Sequence, residues 1–276
     1  MKALIYQGPG KKALESRPMP QIAEPTDAIV KIVKTTICGT DLHILKSDVP
    51  TCAPGRILGH EGIGVVDKTG LGVTEFHPGD RVLISCISAC GRCEYCRRGM
   101  YSHCTTGGWI LGNAIDGTQA EYVRTPHADT SLYRIPDGAD EEALVMLSDI
   151  LPTGFECGVL ITAGRGVDTT IEAVGVPATF VLCEDIVAPG GTIANVGVHG
   201  IKADLHLERL WSQNITITTR LVDTVTMPML LKTVQSKKLD PTALITHRFT
   251  LDHILDAYET FSHTAGTGAL KVIIAT

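Results

Sequence analysis

Four of the nine cysteines fall between Cys90 and Cys104, as Cys90-Gly91-Arg92-Cys93-Glu94-Tyr95-Cys96 followed after seven residues by Cys104. Two CxxC steps that share a cysteine, with one more thiol nearby, can wrap a tetrahedral ion. Four thiolates leave no open position, which marks a structural zinc rather than a catalytic one. Gly91 and Gly99 permit the tight turns such a loop needs. Buried free thiols and an iron–sulfur cluster are the other readings, and the spacing fits the usual ferredoxin runs poorly. A second set of potential ligands is scattered. Cys38 opens Cys38-Gly39-Thr40-Asp41-Leu42-His43, His60 sits in Gly59-His60-Glu61-Gly62, and Asp149 follows a helical stretch. Taken singly, each has an ordinary reading as a core thiol, a core imidazole or a helix cap. Spacing alone does not bring them together.

The elements that must position these groups change character along the chain. Residues 1–135 read as short β segments broken by turns, among them 28–33, 62–66 and 80–84, separated by clusters such as His77-Pro78-Gly79-Asp80. That texture predicts a small β-barrel or sandwich. Asp140-Glu141-Glu142 opens a helix through Leu147, with acidic residues near its positive end, and a second helical stretch runs over 153–160. Strands are then expected at 167–174, 192–198, 214–222 and 269–275, with helices at 177–186, 228–236 and 251–261. Strands alternating with helices imply a parallel sheet.

With 276 residues the chain has room for two domains and a sizeable core. A net charge of −6 gives no reason to bind nucleic acid or anionic lipid. No uninterrupted apolar run is long enough to span a bilayer. The start reaches Gly8 and Pro9 too soon for a secretory signal, and an odd number of cysteines in a reducing compartment disfavours disulfides. The expectation is a cytoplasmic protein.

The Cys38–His43 segment, the Gly59–Gly62 segment and the Cys90/93/96/104 loop, in that order, resemble the zinc-containing medium-chain alcohol dehydrogenase family. The resemblance covers residues 1–160 and resumes near Gly164. It implies an α/β fold with a GroES-like β-barrel over 1–150, a Rossmann-like cofactor domain over 151–260, and a segment over 261–276 returning to the first domain. It implies that Cys38, His60 and Asp149 bind a catalytic zinc, the Asp resembling the bacterial secondary-alcohol branch, with Glu61 a nearby carboxylate able to approach the metal. Three ligands plus an open position would acidify an alcohol, so that its carbon can give hydride to a nicotinamide ring. Thr40 and His43 match the family's proton relay, although His43 also reads as an ordinary solvated histidine. Trp109 resembles a substrate-pocket wall in this branch and reads equally as core.

A hydride acceptor needs a binding site. A Rossmann fold offers a strand, Gly-x-Gly-x-x-Gly and a helix N-terminus for the pyrophosphate. No such unit is found. The glycine pairs at Gly8/Gly10, Gly62/Gly64, Gly70/Gly72 and Gly164/Gly166 read as turn glycines. Compared with the family, the chain jumps from Cys157-Gly158-Val159-Leu160 almost directly to Ala163-Gly164, a loss of roughly 75 residues, or one βαβαβ half. By family order the strands at 167–174, 192–198 and 214–222 are the fourth to sixth. That would leave Ala173, Val174, Val196, Gly197 and Val198 beside the nicotinamide while the adenosine-binding half is gone. The fourth strand would then present an unpaired edge.

Two functions follow. One is a zinc-dependent alcohol dehydrogenase, taking small alcohols, aldehydes or ketones with two zinc ions per chain and impaired NAD(P) binding. The other is a cofactor-free zinc-binding remnant, or an engineered minimal domain, without turnover. The resemblance also implies a homodimer or homotetramer.

Overall fold

The computed structural model describes residues 1–156 and 168–276. The chain opens with a hairpin, β1 (Lys2–Gly8) and β2 (Lys11–Ser16), turned at Gly8 and Gly10, both with positive φ. Then come β3 (Ala28–Thr36), α1 (Gly39–Leu45), β4 (Gly62–Thr69), β5 (Arg81–Ile84), α2 (Glu94–Arg97), β6 (Tyr122–Thr125), α3 (Ala128–Ser131) and β7 (Leu132–Arg134). Rich in Ile, Val and Thr and buried over most of its length, β3 is the hub: it pairs antiparallel with β4, β6 and the C-terminal strand.

The junction contains α4 (Glu141–Val145), a 3-10 turn at Met146–Ser148 and α5 (Ile150–Gly154). Asp140 caps α4, its carboxylate accepting from the Glu142 and Ala143 N–H groups at 3.0 and 3.3 Å. The α/β part follows as β8 (Thr169–Glu172), α6 (Pro177–Ile186), β9 (Thr192–Asn195), α7 (Leu207–Leu210) and β10 (Thr216–Thr219). The closing elements are α8 (Met227–Gln235), β11 (Ile245–Thr250), α9 (Ile254–Ser262), α10 (Thr264–Thr267) and β12 (Lys271–Ala275).

Among the described residues, a seven-stranded sheet runs β11-β12-β3-β4-β5-β7 with β6 beside β3, and a separate three-stranded parallel sheet runs β10-β9-β8. The molecule is thus α/β with a β-rich N-terminal part. The seven-stranded sheet buries Ile63, Leu83, Leu144 and Leu147 in one cluster together with Met227 and Leu230. The chain has therefore rejoined the first sheet by α8, well before residue 261.

Several sequence expectations are revised by packing. Gly62 and Gly64 lie inside β4, not in a turn. A Cβ on Gly64 would overlap the Lys31 carbonyl, so the glycine answers to the close approach of β3. The third parallel strand spans only Thr216–Thr219, because Asn214 takes a left-handed conformation at φ 55° and breaks the extended run. The second junction helix begins at Ile150, three residues before the expected 153; residues 157–160 of that expectation, Gly164 and Gly166 lie outside the described residues. The helix at Pro177–Ile186 falls as expected, with Pro at its first position. No helix among the described residues is long and apolar enough to cross a membrane.

Candidate metal centres

Cys38 ends the run out of β3 and acts as the N-cap residue of α1. Its backbone N–H donates to the Asp41 carboxylate at 2.9 Å. Asp41 is buried, and Gln119 donates to the same carboxylate oxygen at 3.1 Å. Gln119 in turn accepts from the Tyr258 hydroxyl at 2.8 Å, so a buried relay from α9 braces the turn that carries Cys38. Burial raises the Asp41 carboxyl's pKa, against the opposing influence of His60. His60 and Glu61 immediately precede β4, and their side chains engage different partners, Asp149 and Lys271. Gly59 before them has φ 94° and no room for a side chain against Gln119 and Thr118.

These elements bring Cys38, His60 and Asp149 together. Asp149 Oδ2 lies 3.1 Å from His60 Nε2 and 3.7 Å from Cys38 Sγ, and one ligand atom from each of the three falls within 4.8 Å of the others. With metal–ligand lengths of about 2.0–2.3 Å, tetrahedral edges are roughly 3.3–3.7 Å, so thiolate, imidazole and carboxylate fit a zinc ion. The second Asp149 oxygen accepts from Thr153 Oγ1 at 2.7 Å, which fixes the carboxylate's rotation. Burial disfavours a charged His60, yet hydrogen bonds to Asp149 and Cys38 outweigh it and raise the imidazole's pKa well above its usual value. Burial raises the Asp149 carboxyl, and the His60 hydrogen bond overcomes this and holds it well below the ordinary range.

Glu61, expected as a nearby carboxylate able to approach the metal, is engaged by two other side chains. Both its oxygens accept from Lys271 Nζ, at 3.0 and 2.8 Å, and Thr36 Oγ1 donates to one of them. Lys271 comes from β12 and is buried. Burial opposes its charge, but the neighbouring Glu61 and Cys38 prevail and raise its pKa. A lone lysine in a closing strand gave no sequence signal of this pairing, because its partner lies 210 residues away.

Thr40 Oγ1 lies 3.7 Å from Cys38 Sγ, and His43 stands one turn further along α1 on the same face. Trp109 sets its indole edge-on to the His60 ring, centroids 6.1 Å apart, and packs against Cys86, Ile87 and Val222. It thus meets both His60 and the core. Ala173 and Val174 follow the end of β8, and Val196, Gly197 and Val198 the end of β9. The Val196 and Gly197 N–H groups donate to the Glu172 carbonyl at 2.8 and 3.1 Å, so these two loops are stitched together. Val174 is exposed, whereas Val198 packs on the cluster that holds Ile37 and Ile44.

The four-cysteine loop also converges. Cys90, Cys93, Cys96 and Cys104 offer sulfurs within 4.8 Å of one another, with 3.9 Å between Cys90 and Cys96. A zinc–sulfur length of ~2.3 Å gives a tetrahedral edge of ~3.8 Å, so four thiolates fit one ion. Backbone N–H groups of Thr105 and Cys96 lower the Cys93 thiol to about 6, while burial pushes Cys96 up to about 12. Ser102 in this lobe donates to Asp223 from its N–H and its hydroxyl, at 3.0 and 2.6 Å, tying the loop to the segment after β10.

Residues 24–137 match the alcohol dehydrogenase GroES-like domain and residues 159–236 match the zinc-binding dehydrogenase domain. An alcohol dehydrogenase of Cupriavidus necator is 31% identical over 367 aligned residues, covering 99% of this chain and 98% of the relative. This chain belongs to the zinc-dependent medium-chain alcohol dehydrogenase family. Members of that family are oxidoreductases. Among solved structures, the apo form of zinc dependent alcohol dehydrogenase 2 from Streptococcus pneumonia is 45% identical, with a TM-score of 0.93 and coverage of 100% of this chain and 98% of that one. Alcohol dehydrogenase TADH from Thermus sp. ATN1 is 26% identical with a TM-score of 0.87, covering 100% and 99%. The Cupriavidus alignment is much longer than the 276 residues of this dehydrogenase homologue, so the relative carries positions with no counterpart here.

Proposed function

We propose that this family member is a zinc alcohol dehydrogenase by site whose hydride acceptor has lost its main anchorage. Cys38, His60 and Asp149 hold a catalytic zinc, and Cys90, Cys93, Cys96 and Cys104 hold a structural one. The convergence of a thiol, an imidazole and a carboxylate on one point carries the reading. When bound there with an open fourth position, zinc supplies Lewis-acid activation of a small alcohol, aldehyde or ketone. The chain's own residues supply the rest. Asp41 and Gln119 brace Cys38, Thr153 fixes Asp149, and Lys271 keeps the Glu61 carboxylate engaged, leaving three ligands rather than four. Thr40 and His43 take the hydroxyl proton away, and Trp109 walls the pocket beside His60.

In this reading NAD(P) binds weakly or not at all, with Ala173, Val174, Val196, Gly197 and Val198 as residual nicotinamide contacts. Two observations support it: the alignment that exceeds the chain's length, and β8 pairing with β9 alone among the described residues. That same edge favours the second reading, a cofactor-free zinc module. Residues 1–150 act as the catalytic unit and those from 151 as the cofactor remnant, with the chain returning to the first unit from α8 onward. The protein is cytoplasmic and assembles as a homodimer or homotetramer through β10.

Zinc analysis with wild-type protein and the Cys38→Ser and Cys96→Ser variants is expected to give two ions, then one in each variant. A tetrahedral cobalt spectrum in the Cys96→Ser protein reports the catalytic set alone; its absence sinks the metal assignment. Isothermal titration showing micromolar NAD(P) affinity overturns the cofactor claim. Silence at the reduced-nicotinamide absorbance band, with full zinc content, alcohol and either cofactor, selects the cofactor-free module.

A further inference from the structure

Helix α1 ends in a reversal whose geometry has a chemical result. Ser47 takes the left-handed conformation at φ 68°. Its N–H donates to the Ile44 carbonyl and the Asp48 N–H donates to the His43 carbonyl, each at 3.0 Å. This pair of bonds is the Schellman arrangement, in which the residue after the reversal comes back against the residue five positions earlier. That contact is commonly hydrophobic. Here it joins an imidazole to a carboxylate, His43 Nδ1 lying 2.7 Å from Asp48 Oδ2 with the two side chains 18% and 22% exposed.

A second element backs Asp48. Gly200, in the loop after β9, lies so close that a Cβ there would overlap the Asp48 carboxyl group. Val198 of the same loop packs on the core cluster beneath α1. The carboxylate is therefore held between the helix end and a loop of the parallel-sheet unit, with little room to turn away from His43.

An ionised carboxylate only accepts, so the proton of a neutral His43 resides on Nδ1 and the lone pair on Nε2. We propose that Asp48 is a positioning residue for the alcohol site: it fixes the tautomer and ring orientation of His43 so that Nε2 receives the proton relayed by Thr40. The inference rests on the proton path in the proposed function. In that path the substrate hydroxyl passes its proton to Thr40 Oγ1 as the threonine proton moves to His43 Nε2. The resulting imidazolium sits beside Asp48, which remains ionised, and later returns its proton to water. Only O–H and N–H bonds are exchanged.

The test is a long-range 15N–1H correlation spectrum of protein labelled at its histidine rings, with His43 assigned by substitution. Wild-type protein is expected to show His43 with a protonated Nδ1 and a pyridine-type Nε2. Asp48→Ala is expected to lose more than half of that Nδ1–H population, and Asp48→Asn, which keeps an acceptor oxygen, to restore most of it. Gly200→Ala leaves both partners in place but crowds the carboxyl, and is expected to lower the same signal; it serves where Asp48→Ala does not fold. An Nδ1–H signal unchanged in both variants overturns the proposal. Cobalt loaded into the Cys96→Ser background separates the two levels. A tetrahedral cobalt band with an indifferent His43 tautomer removes Asp48 alone, whereas an absent band removes the metal reading beneath it.

Discussion

β3 lies at the centre of the seven-stranded sheet, whereas β8 lies at the edge of the three-stranded one. β3 is bonded to β4, β6 and β12 and keeps Ala28, Val30 and Ile32 fully buried. β8 is bonded to β9 alone among the described residues, and its Ile171 is 46% exposed. The contrast continues outward. Leu182 and Ile186 on α6 and Leu207 and Trp211 around α7 are exposed, Trp211 to 78%. A sheet unit that shows this much apolar surface is the kind expected when neighbouring elements that would cover it are missing. The lesson is that the half carrying the ligand clusters surrounds its central strand with partners, while the parallel half depends on what it is tied to.

One tie between the halves is the four-cysteine lobe, and removing it should have the largest effect. Structural zinc contributes its binding free energy to folding, about 10–16 kcal/mol in small zinc peptides. Cys96→Ser, or chelation, is expected to release one zinc and lower Tm sharply. Because Ser102 of this lobe anchors Asp223, hydrogen exchange should rise over residues 220–226 as well as 90–104. Protection unchanged after the segment that follows β10 would mean the two halves are mechanically independent.

Truncation of equivalent side chains sharpens the comparison. Leu83 is fully buried among Ile63, Leu144 and Met227, so Leu83→Ala should cost about 2–5 kcal/mol in denaturant unfolding. Leu182 is exposed on α6, and Leu182→Ala should stay within about 0.5 kcal/mol. A large loss at Leu182 would reveal a covering partner, such as a second copy of the chain.

Much of this contrast could be read in the residues. The cysteine spacing, the change from β texture to strand–helix alternation near Asp140, and the helix beginning at Pro177 are local signals, because caps, turns and CxxC steps act within a few residues. What escaped was set by tertiary approach. Lys271 meets Glu61 across 210 residues, Gly64 answers to the Lys31 carbonyl, and Gln119 links Tyr258 to Asp41. No spacing rule encodes such contacts. Asp48 is an intermediate case: it stands five residues from His43, but only the left-handed Ser47 turns that spacing into contact.

A pH titration probes the parallel sheet from within. Glu172 at the end of β8 is buried. It accepts from the Val174 and Gly175 N–H groups at 2.9 Å and from Thr179 Oγ1 at 2.6 Å, and His199 lies 3.2 Å away. Burial works against its charge, but these donors prevail and lower its pKa below the ordinary 4.5. A depressed carboxyl contributes stability that is fully present above the unfolded value and is lost as pH falls through the folded one. Glu172→Gln should therefore be less stable than wild type at pH 7, with the gap closing below about pH 4.5. A gap that is constant with pH would assign the loss to packing rather than charge.

A small effect of opposite sign is expected at the seam between the two halves. Ser47 occupies a left-handed conformation that glycine adopts without the Cβ penalty, which costs an L-residue roughly 1 kcal/mol. Ser47→Gly should relieve that strain while also loosening the unfolded chain, so the net gain is a few tenths to about 1 kcal/mol. The bonds from residues 47 and 48 back to Ile44 and His43 are made by the backbone, so the substitution leaves them available. Urea unfolding should show a higher midpoint with an unchanged slope, and the His43 ring should keep its proton on Nδ1. A fall in stability would mean that the Ser47 side chain, rather than the turn it occupies, secures the end of α1.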